Sequence, residues 1–350
     1  MSKRNAEPAP KKSTERAPKM ILKEEAPFSE KAPASQANRK SGLVAIAGRP
    51  NAGKSTIMNA LLGSELSIVT PKAQTTRERV NGVLTEKEGQ IVFIDTPGIH
   101  RARDGGINAY MMNEVKSALH MPEIIWYMVD PDSAPRHEEA VLAMLAEAKR
   151  PVYLIFNKTD QKRNLPSVER LEPELLAACA VLGIEVVKTF KISALKKRGL
   201  DELMAATWDA LPIGPFHFED EDQISDRPTR FFVSEKIREQ LFHLLGDELP
   251  YCCAIAIEKF DENSKPVRIE AVIFVERDSQ KGMVIGAAGA KIKEIGTAAR
   301  REIESFLDTK IFLGLNVKVL KDWSKDPERL KQLGYDLPRP KKLSGKKTAS

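Results

Sequence analysis

Residues 48–56 read GRPNAGKST, a Gly-x-x-x-x-Gly-Lys-Ser/Thr spacing directly after the apolar run Leu43–Ala47. Gly48 and Gly53 let the backbone of Arg49, Pro50, Asn51 and Ala52 curl so that its N–H groups face one anionic ligand. A helical pattern begins around Lys54, and its positive end points to the same place. Lys54 would reach the β- and γ-phosphates of a nucleotide and the Ser55 hydroxyl would ligate Mg2+, with Thr56 ending the motif. Two more polar clusters follow apolar runs: Asp95-Thr96-Pro97-Gly98 after Ile91–Ile94, and Asn157-Lys158-Thr159-Asp160 after Val152–Phe156. Strand C-terminal ends are where open α/β sheets bind ligands. A carboxylate at Asp95 can hold Mg2+ through water, and the Gly98 N–H can sense a γ-phosphate.

A second glycine turn, Gly286-Ala287-Ala288-Gly289, stands far downstream. No Gly-Lys-Ser/Thr follows it, and it joins helix to helix instead of strand to helix, so it is neither a second nucleotide loop nor a dinucleotide fingerprint. Glycine presents no side chain, so a nucleic-acid backbone can come close. The turn has no basic residue between its glycines, and Lys291 and Lys293 are expected to compensate.

These loops need elements to position them. From Leu43 onward, apolar strands (43–47, 90–95, 124–130, 152–157, 185–191) alternate with helical patterns (109–119, 138–148, 172–182). Such alternation implies βαβ units and a mostly parallel sheet with helices on both faces. Three prolines and an acidic cluster within 211–228 break the rhythm, which reads as a linker over 213–228. Beyond it the pattern becomes helix 234–245, strands 252–260 and 267–276, helices 278–285 and 290–307, and strand 311–320. In VRIEAVIFVE, the alternation of Val267, Ile269, Ala271, Ile273 and Val275 puts one sheet face on a core. The α-β-β-α-α-β order describes a small α+β module. The expected division is a disordered extension over 1–40, an α/β nucleotide domain over 41–212, the linker, the second module over 229–324 and a tail over 325–350.

The triple of GRPNAGKST, DTPG and NKTD resembles the P-loop GTPase superfamily. That resemblance implies that Asp160 accepts from guanine N1–H and the 2-amino group, and that Asn157 and Lys158 tie the base loop to the phosphate loop. Ser193-Ala194-Leu195 is similar to the weaker element that contacts guanine O6 through its backbone. Residues 70–82 look like the first switch loop, with QTTR (74–77) at its core and either Thr75 or Thr76 reaching Mg2+. Ile99 stands where many relatives of this superfamily carry a water-positioning Gln, so slow intrinsic turnover is expected. Asn51 matches a position that helps bind K+ in related GTPases. Helix–GxxG–helix within the second module resembles a type II KH domain, with Ile292, Ile295, Ala299, Ile303 and Phe306 on one helix face and Lys293 with Arg300 on another.

A GTPase domain followed by a KH domain resembles the Era family of bacterial GTPases over about residues 42–335. The family likeness implies GTP/GDP and Mg2+ as ligands, and Asn51 raises K+ as a candidate further ion that stimulates hydrolysis. It also implies binding to the 3′ end of small-subunit rRNA and to the 30S ribosomal subunit. A monomer is expected, cytoplasmic with peripheral inner-membrane association. The rival reading is a membrane- or protein-recruited signalling GTPase whose second module is an adaptor. An ATP-driven RNA remodeller is disfavoured by Asn157-Lys158-x-Asp160.

Of the formal +6 charge, +5 falls in residues 1–40, and five more basic residues with no acid lie in 338–350. Such ends suit weak, salt-sensitive attraction to nucleic acid or anionic lipid, or simple solubilisation. The first segment has no apolar run for a signal peptide and too many Glu for a transit peptide. No stretch approaches the ~20 apolar residues of a membrane span. Cys179, Cys252 and Cys253 fit reduced, buried thiols, and five scattered His show no metal-ligand spacing.

Overall fold

The computed structural model describes residues 39–336 apart from Ala73, 101–104, 162–163 and Asp247. The basic ends, 1–38 and 337–350, lie outside the described residues.

The first domain is a six-stranded sheet in the order β2-β3-β1-β4-β5-β6. β1 (Lys40–Gly48), β3 (Gly89–Asp95), β4 (Ile124–Val129) and β5 (Val152–Phe156) form its centre, with β2 (Val80–Thr85) and β6 (Val186–Lys191) at the edges. All pairings are parallel except β2 with β3. The central strands are buried on both faces, which is why they read as continuous apolar runs without alternation. Helices α1 (Lys54–Leu62) and α5 (Leu200–Ala210) cover one face, and α2 (Gly106–His120), α3 (Glu139–Ala148) and α4 (Asn164–Val181) cover the other.

Two sequence expectations change here. β2 begins inside the stretch read as a polar loop, because pairing with β3 supplies the order that Val80-Asn81-Gly82 lacks locally. α4 starts eight residues earlier than the 172–182 pattern, running through Pro173.

The second module follows the expected order. α6 (Thr229–Leu244) leads to β7 (Ala254–Asp261) and β8 (Val267–Val275), then α7 (Asp278–Ile285), α8 (Ala290–Leu307) and β9 (Ile311–Val319). β7 is antiparallel and β9 parallel to the central β8. Ile269, Ala271, Ile273 and Val275 are fully buried against Ile295, Ala299 and Ile303 of α8, as the alternation requires.

The linker and the tail also differ from expectation. Residues 213–228 are sewn to the β2–β3 edge: Gln90 Nε2 donates to Phe218 O at 3.0 Å and Ser225 Oγ to Asn81 O at 2.6 Å. Phe216 and Phe218 are buried, so the segment is structure and not a tether. Arg39 and Lys40 belong to the fold, with Lys40 opening β1. After β9 the chain forms α9 (Pro327–Gln332), and Leu330 and Tyr335 pack with Trp323 against Tyr110 and Met111 of α2. Within the expected tail, residues 325–336 are therefore part of the interface between the two domains.

Candidate functional site

The phosphate loop joins β1 to α1, and two glycines allow its path. Gly48 has φ +150° with Met128 O only 2.3 Å from where a Cβ would stand. A Cβ at Gly53 (φ +97°) would meet Asn157 Nδ2 at 2.1 Å. That closeness lets Asn157 act as a brace: its Nδ2 donates to Ala52 O at 2.9 Å while its Oδ1 accepts from Ala194 N at 2.9 Å. One buried side chain thus fixes the loop at Ala52 to the Ser193-Ala194-Leu195 loop.

Lys54 is 6% exposed, and its Nζ donates to Gly48 O at 3.1 Å and Arg49 O at 2.9 Å. Burial pushes its ammonium down to about 8, against the opposing pull of Asp95 and Glu138. Beside it, Ser55 Oγ donates to Asp95 Oδ2 at 2.7 Å and lies 3.3 Å from Thr76 Oγ1. Thr75 turns away, donating to Lys72 O at 2.9 Å. Asp95 is fully buried, and burial raises its pKa. Among the described residues, its Oδ1 has no hydrogen-bond partner. A buried carboxylate oxygen without a partner, next to two hydroxyls, is a donor set that suits a hard divalent cation.

Thr96 Oγ1 donates to Ile46 O at 2.7 Å and sets the turn after β3. Gly98 lies flat on Pro50; a Cβ there would stand 2.7 Å from Pro50 Cα. Ile99 N donates to Gly48 O at 3.0 Å, and its side chain is buried, so it offers the site no polar group. Asn51 has φ +64° and donates from Nδ2 to Pro71 O at 2.9 Å, linking the phosphate loop to the start of the switch.

In the base region, Lys158 Nζ pairs with Asp130 Oδ2 at 2.6 Å and Thr159 Oγ1 donates to Ile192 O at 2.8 Å. Asp160 accepts from Ser193 Oγ at 2.6 Å and is only half-buried. Leu195 is exposed and lines the same cavity as Asp160, Lys158 and the phosphate loop.

Two features escaped the sequence reading. Arg49 Nη1 donates to Ser133 Oγ (2.7 Å), which donates to Glu138 Oε1 (2.7 Å), while Tyr127 OH donates to Glu138 Oε2 (2.9 Å). This buried chain props the phosphate loop from behind. The second is Arg77, the last residue of QTTR. Its Nη1 donates to Cys253 O at 2.7 Å and its Nη2 to Tyr251 O at 2.8 Å, with its guanidinium 5.4 Å from the Trp323 ring centre. The contacts of Arg77 span 174 residues or more, so no local pattern could have revealed them.

In the second module, Gly286 (φ +72°) leaves no room for a side chain, since a Cβ would meet Lys291 Cβ at 2.6 Å. Ala287 and Ala288 are exposed, and at Gly289 (φ +77°) a Cβ would face open space. The backbone of the turn is thus presented outward. Lys291 pairs with Glu294 at 2.7 Å, whereas Lys293 lines a groove between α8 and β9.

Fold and site together define a P-loop GTPase carrying a KH domain. A family model described as a 50S ribosome-binding GTPase matches residues 43–158, and a KH domain model matches 248–324. GTPase Era of Lacticaseibacillus paracasei is 43% identical over 301 residues, covering 85% of this chain and 97% of the relative. GTPase Era of Geotalea daltonii is 44% identical over 298 residues, covering 85% and 98%. The chain belongs to the GTPase Era family. Among solved structures, a point variant of Aquifex aeolicus Era bound to GDP·AlF4− is 36% identical with a TM-score of 0.78, covering 85% of this chain and 100% of that one. Era in complex with MgGDPNP and nucleotides 1506–1542 of 16S ribosomal RNA is 36% identical with a TM-score of 0.79 and the same coverage.

Proposed function

We propose that this protein is a GTP-hydrolysing switch whose KH domain holds the 3′ end of small-subunit rRNA during assembly of the 30S subunit. One observation carries the switch: the loop at 70–79 touches both ends of the mechanism. Thr76 stands beside Ser55, which itself bonds to Asp95, and the next residue, Arg77, is bonded to the entry of the KH domain. Relatives solved with GDP·AlF4−, and with MgGDPNP and a 16S rRNA segment, support the same pair of ligands here.

Hydrolysis transfers the γ-phosphoryl group of GTP to water, mostly by positioning and electrostatics. Lys54 would supply positive charge at the phosphates, and the Gly98 backbone, close against Pro50 of the phosphate loop, would sense the γ-phosphate. Ser55, Thr76 and Asp95 would hold Mg2+, which would neutralise charge on the β- and γ-oxygens when bound. Of the two threonines left open by the sequence, the proposal takes Thr76, supported by its Oγ1 lying 3.3 Å from Ser55 Oγ while Thr75 bonds to Lys72 O. Ile99 cannot orient water, which supports slow intrinsic turnover. Asn51 carries an amide oxygen, a donor type that K+ takes, while its Nδ2 bonds to Pro71 O. Hydrolysis is therefore proposed to run faster in KCl than in equal NaCl, with the difference lost in Asn51→Ala. Equal rates in both salts would remove K+ from the scheme.

The proposed location is the cytoplasm, with the basic ends making peripheral contact with anionic inner-membrane lipid. The support for this is their sequence charge. The central test is fluorescence anisotropy with an oligoribonucleotide of the small-subunit rRNA 3′ end, in GDP and in a non-hydrolysable GTP analogue. Affinities should differ by roughly fivefold or more, the usual lower end of coupling between two sites. Equal affinity in both states would sink the switch. Ala287→Asp, placing an anion on the exposed turn, should remove RNA binding and leave GTP hydrolysis intact.

A further inference from the structure

A groove between α1, the β2–β3 hairpin and α5 shares no residue with the nucleotide cavity. Leu61, Leu84 and Met204 give it an apolar lining, each half-buried. Four exposed acidic residues line it with them: Glu86 and Glu88 from the hairpin, Asp201 and Asp209 from α5. No Lys or Arg is part of that lining.

The amino-terminal extension joins the fold at this groove. Arg39 Nη2 donates to Glu86 O, and Lys40 Nζ donates to Trp208 O at 2.7 Å and Asp209 O at 3.0 Å. Glu86, Trp208 and Asp209 are all lining residues. Within residues 1–38, one place sets large apolar side chains side by side: Met20-Ile21-Leu22, with Arg16, Lys19 and Lys23 around it. Residues 16–23 hold these three cations and no acid, while Glu24 and Glu25 fall on the stretch that leads back to Arg39.

We propose that residues 16–23 fold back into this groove, with Met20, Ile21 and Leu22 on the apolar lining and the three cations facing its carboxylates. An apolar triplet flanked by cations matches an apolar floor flanked by acids, and their contact withdraws both apolar surfaces from water. The reach is ample. The fifteen residues 24–38 can span up to about 50 Å, whereas the α5 wall from Leu200 to Asp209 is about 14 Å long. A segment on the same chain meets the groove at roughly millimolar effective concentration, so a contact too weak to hold a separate peptide is populated within the chain. A polyanion, whether RNA or a lipid surface, must then compete with the groove for these cations.

Trypsin digestion of the full chain, followed cut by cut by mass spectrometry, tests the docking. Each cut is scaled to the same cut in a free peptide of residues 1–38, which removes the enzyme's own sequence preferences. Cuts after Lys19 and Lys23 should slow at least about threefold, the protection of a segment docked two-thirds of the time. The cut after Lys12, outside the segment, should keep the peptide's rate. Asp201→Lys with Asp209→Lys, on the exposed side of α5, should return Lys19 and Lys23 to the peptide's rate, with a melting curve confirming that the domain stays folded. Ile21→Ser with Leu22→Ser should do the same without touching the folded domains. Peptide-like cutting at Lys19 and Lys23 in the unaltered chain would overturn the proposal, as would protection that survives either pair of substitutions. Protection that grows with protein concentration would give the groove to the extension of a second copy. Protection that appears only with added oligoribonucleotide or anionic vesicles would give the segment to that partner. Either result refutes docking within the chain.

Discussion

Lys54 shows how far a single side chain can be pushed by its setting. Burial holds its ammonium down to about 8, and Asp95 and Glu138 offset only part of that. A polyphosphate adds negative charge at Nζ and favours the ammonium, so binding must take up a proton wherever Lys54 is otherwise neutral. Affinity for GTP should then fall as pH rises past about 8, approaching roughly tenfold per pH unit. Calorimetry at pH 9 in two buffers of different ionisation enthalpy should give different apparent enthalpies; identical values would refute the uptake. The same depression has a sign for the fold: between about 8 and 10.5 the unfolded chain binds more protons at this residue, so its contribution to stability grows with pH there. Asp160 supplies a second residue-level outcome. Its carboxylate is aligned by Ser193 Oγ at 2.6 Å. Asp160→Asn replaces one of the two acceptor oxygens with an NH2 donor that would face a guanine donor, so the preference for GTP over ATP in competition binding should collapse, by up to ~10⁴. A preference retained in that variant would move base selection elsewhere.

At the scale of elements, the switch loop and the KH domain share a seam. Lys72 Nζ donates to Leu245 O, Lys236 of α6 pairs with Glu65 just before the loop, and Arg227 of the connecting segment pairs with Glu78. Arg77→Ala removes both bonds to the backbone at 251–253. RNA affinity should then stop responding to the nucleotide while GTP binding stays near wild type; a preserved nucleotide response would place the coupling elsewhere. Glu78 adds a pH dependence to the same seam. Burial, with Glu235 and Glu114 adding to it and Arg227 and Arg238 opposing it, raises its carboxyl to about 7 from 4.5. Between those values the folded state keeps a proton that the unfolded chain has lost. Stability should therefore be greatest below about 4.5 as far as this group goes, and should decline as pH rises through 7, by up to roughly 3 kcal/mol. Glu78→Gln should flatten that slope in urea titrations.

The seam was also the least legible part of the chain. The phosphate loop, DTPG, NKTD and the glycine turn are local patterns whose chemistry is set by neighbouring residues, and each stands where its spacing requires. Arg77, Phe218 and Ser225 draw their meaning from partners 128 to 176 residues away. A proline-rich acidic stretch reads as a linker until Gln90 and Asn81 claim it.

The whole molecule is two cores fastened by a third. Tyr110 and Met111 of α2, Ala254, Trp323, Leu330 and Tyr335 form one buried cluster across the domain boundary. Trp323 is fully buried, donates from Nε1 to Cys252 O at 3.0 Å and stacks near Tyr335, which meets Tyr110 edge-on. α2 follows the DTPG turn, so this cluster ties the second nucleotide-sensing segment to the KH sheet as Arg77 ties the first. Ile107 N donates to Ser324 O at 2.7 Å along the same line. Removing residues 326–350 takes Leu330 and Tyr335 out of the cluster and leaves both domain cores whole. The full chain should unfold with the domains coupled, and the truncated chain should resolve into two calorimetric transitions. The KH transition should be the one displaced downward. Trp323→Ala should act in the same direction at a cost of about 3–5 kcal/mol, the range for a buried aromatic. A truncated chain that melted in one unchanged transition would mean that switch contacts alone hold the domains together.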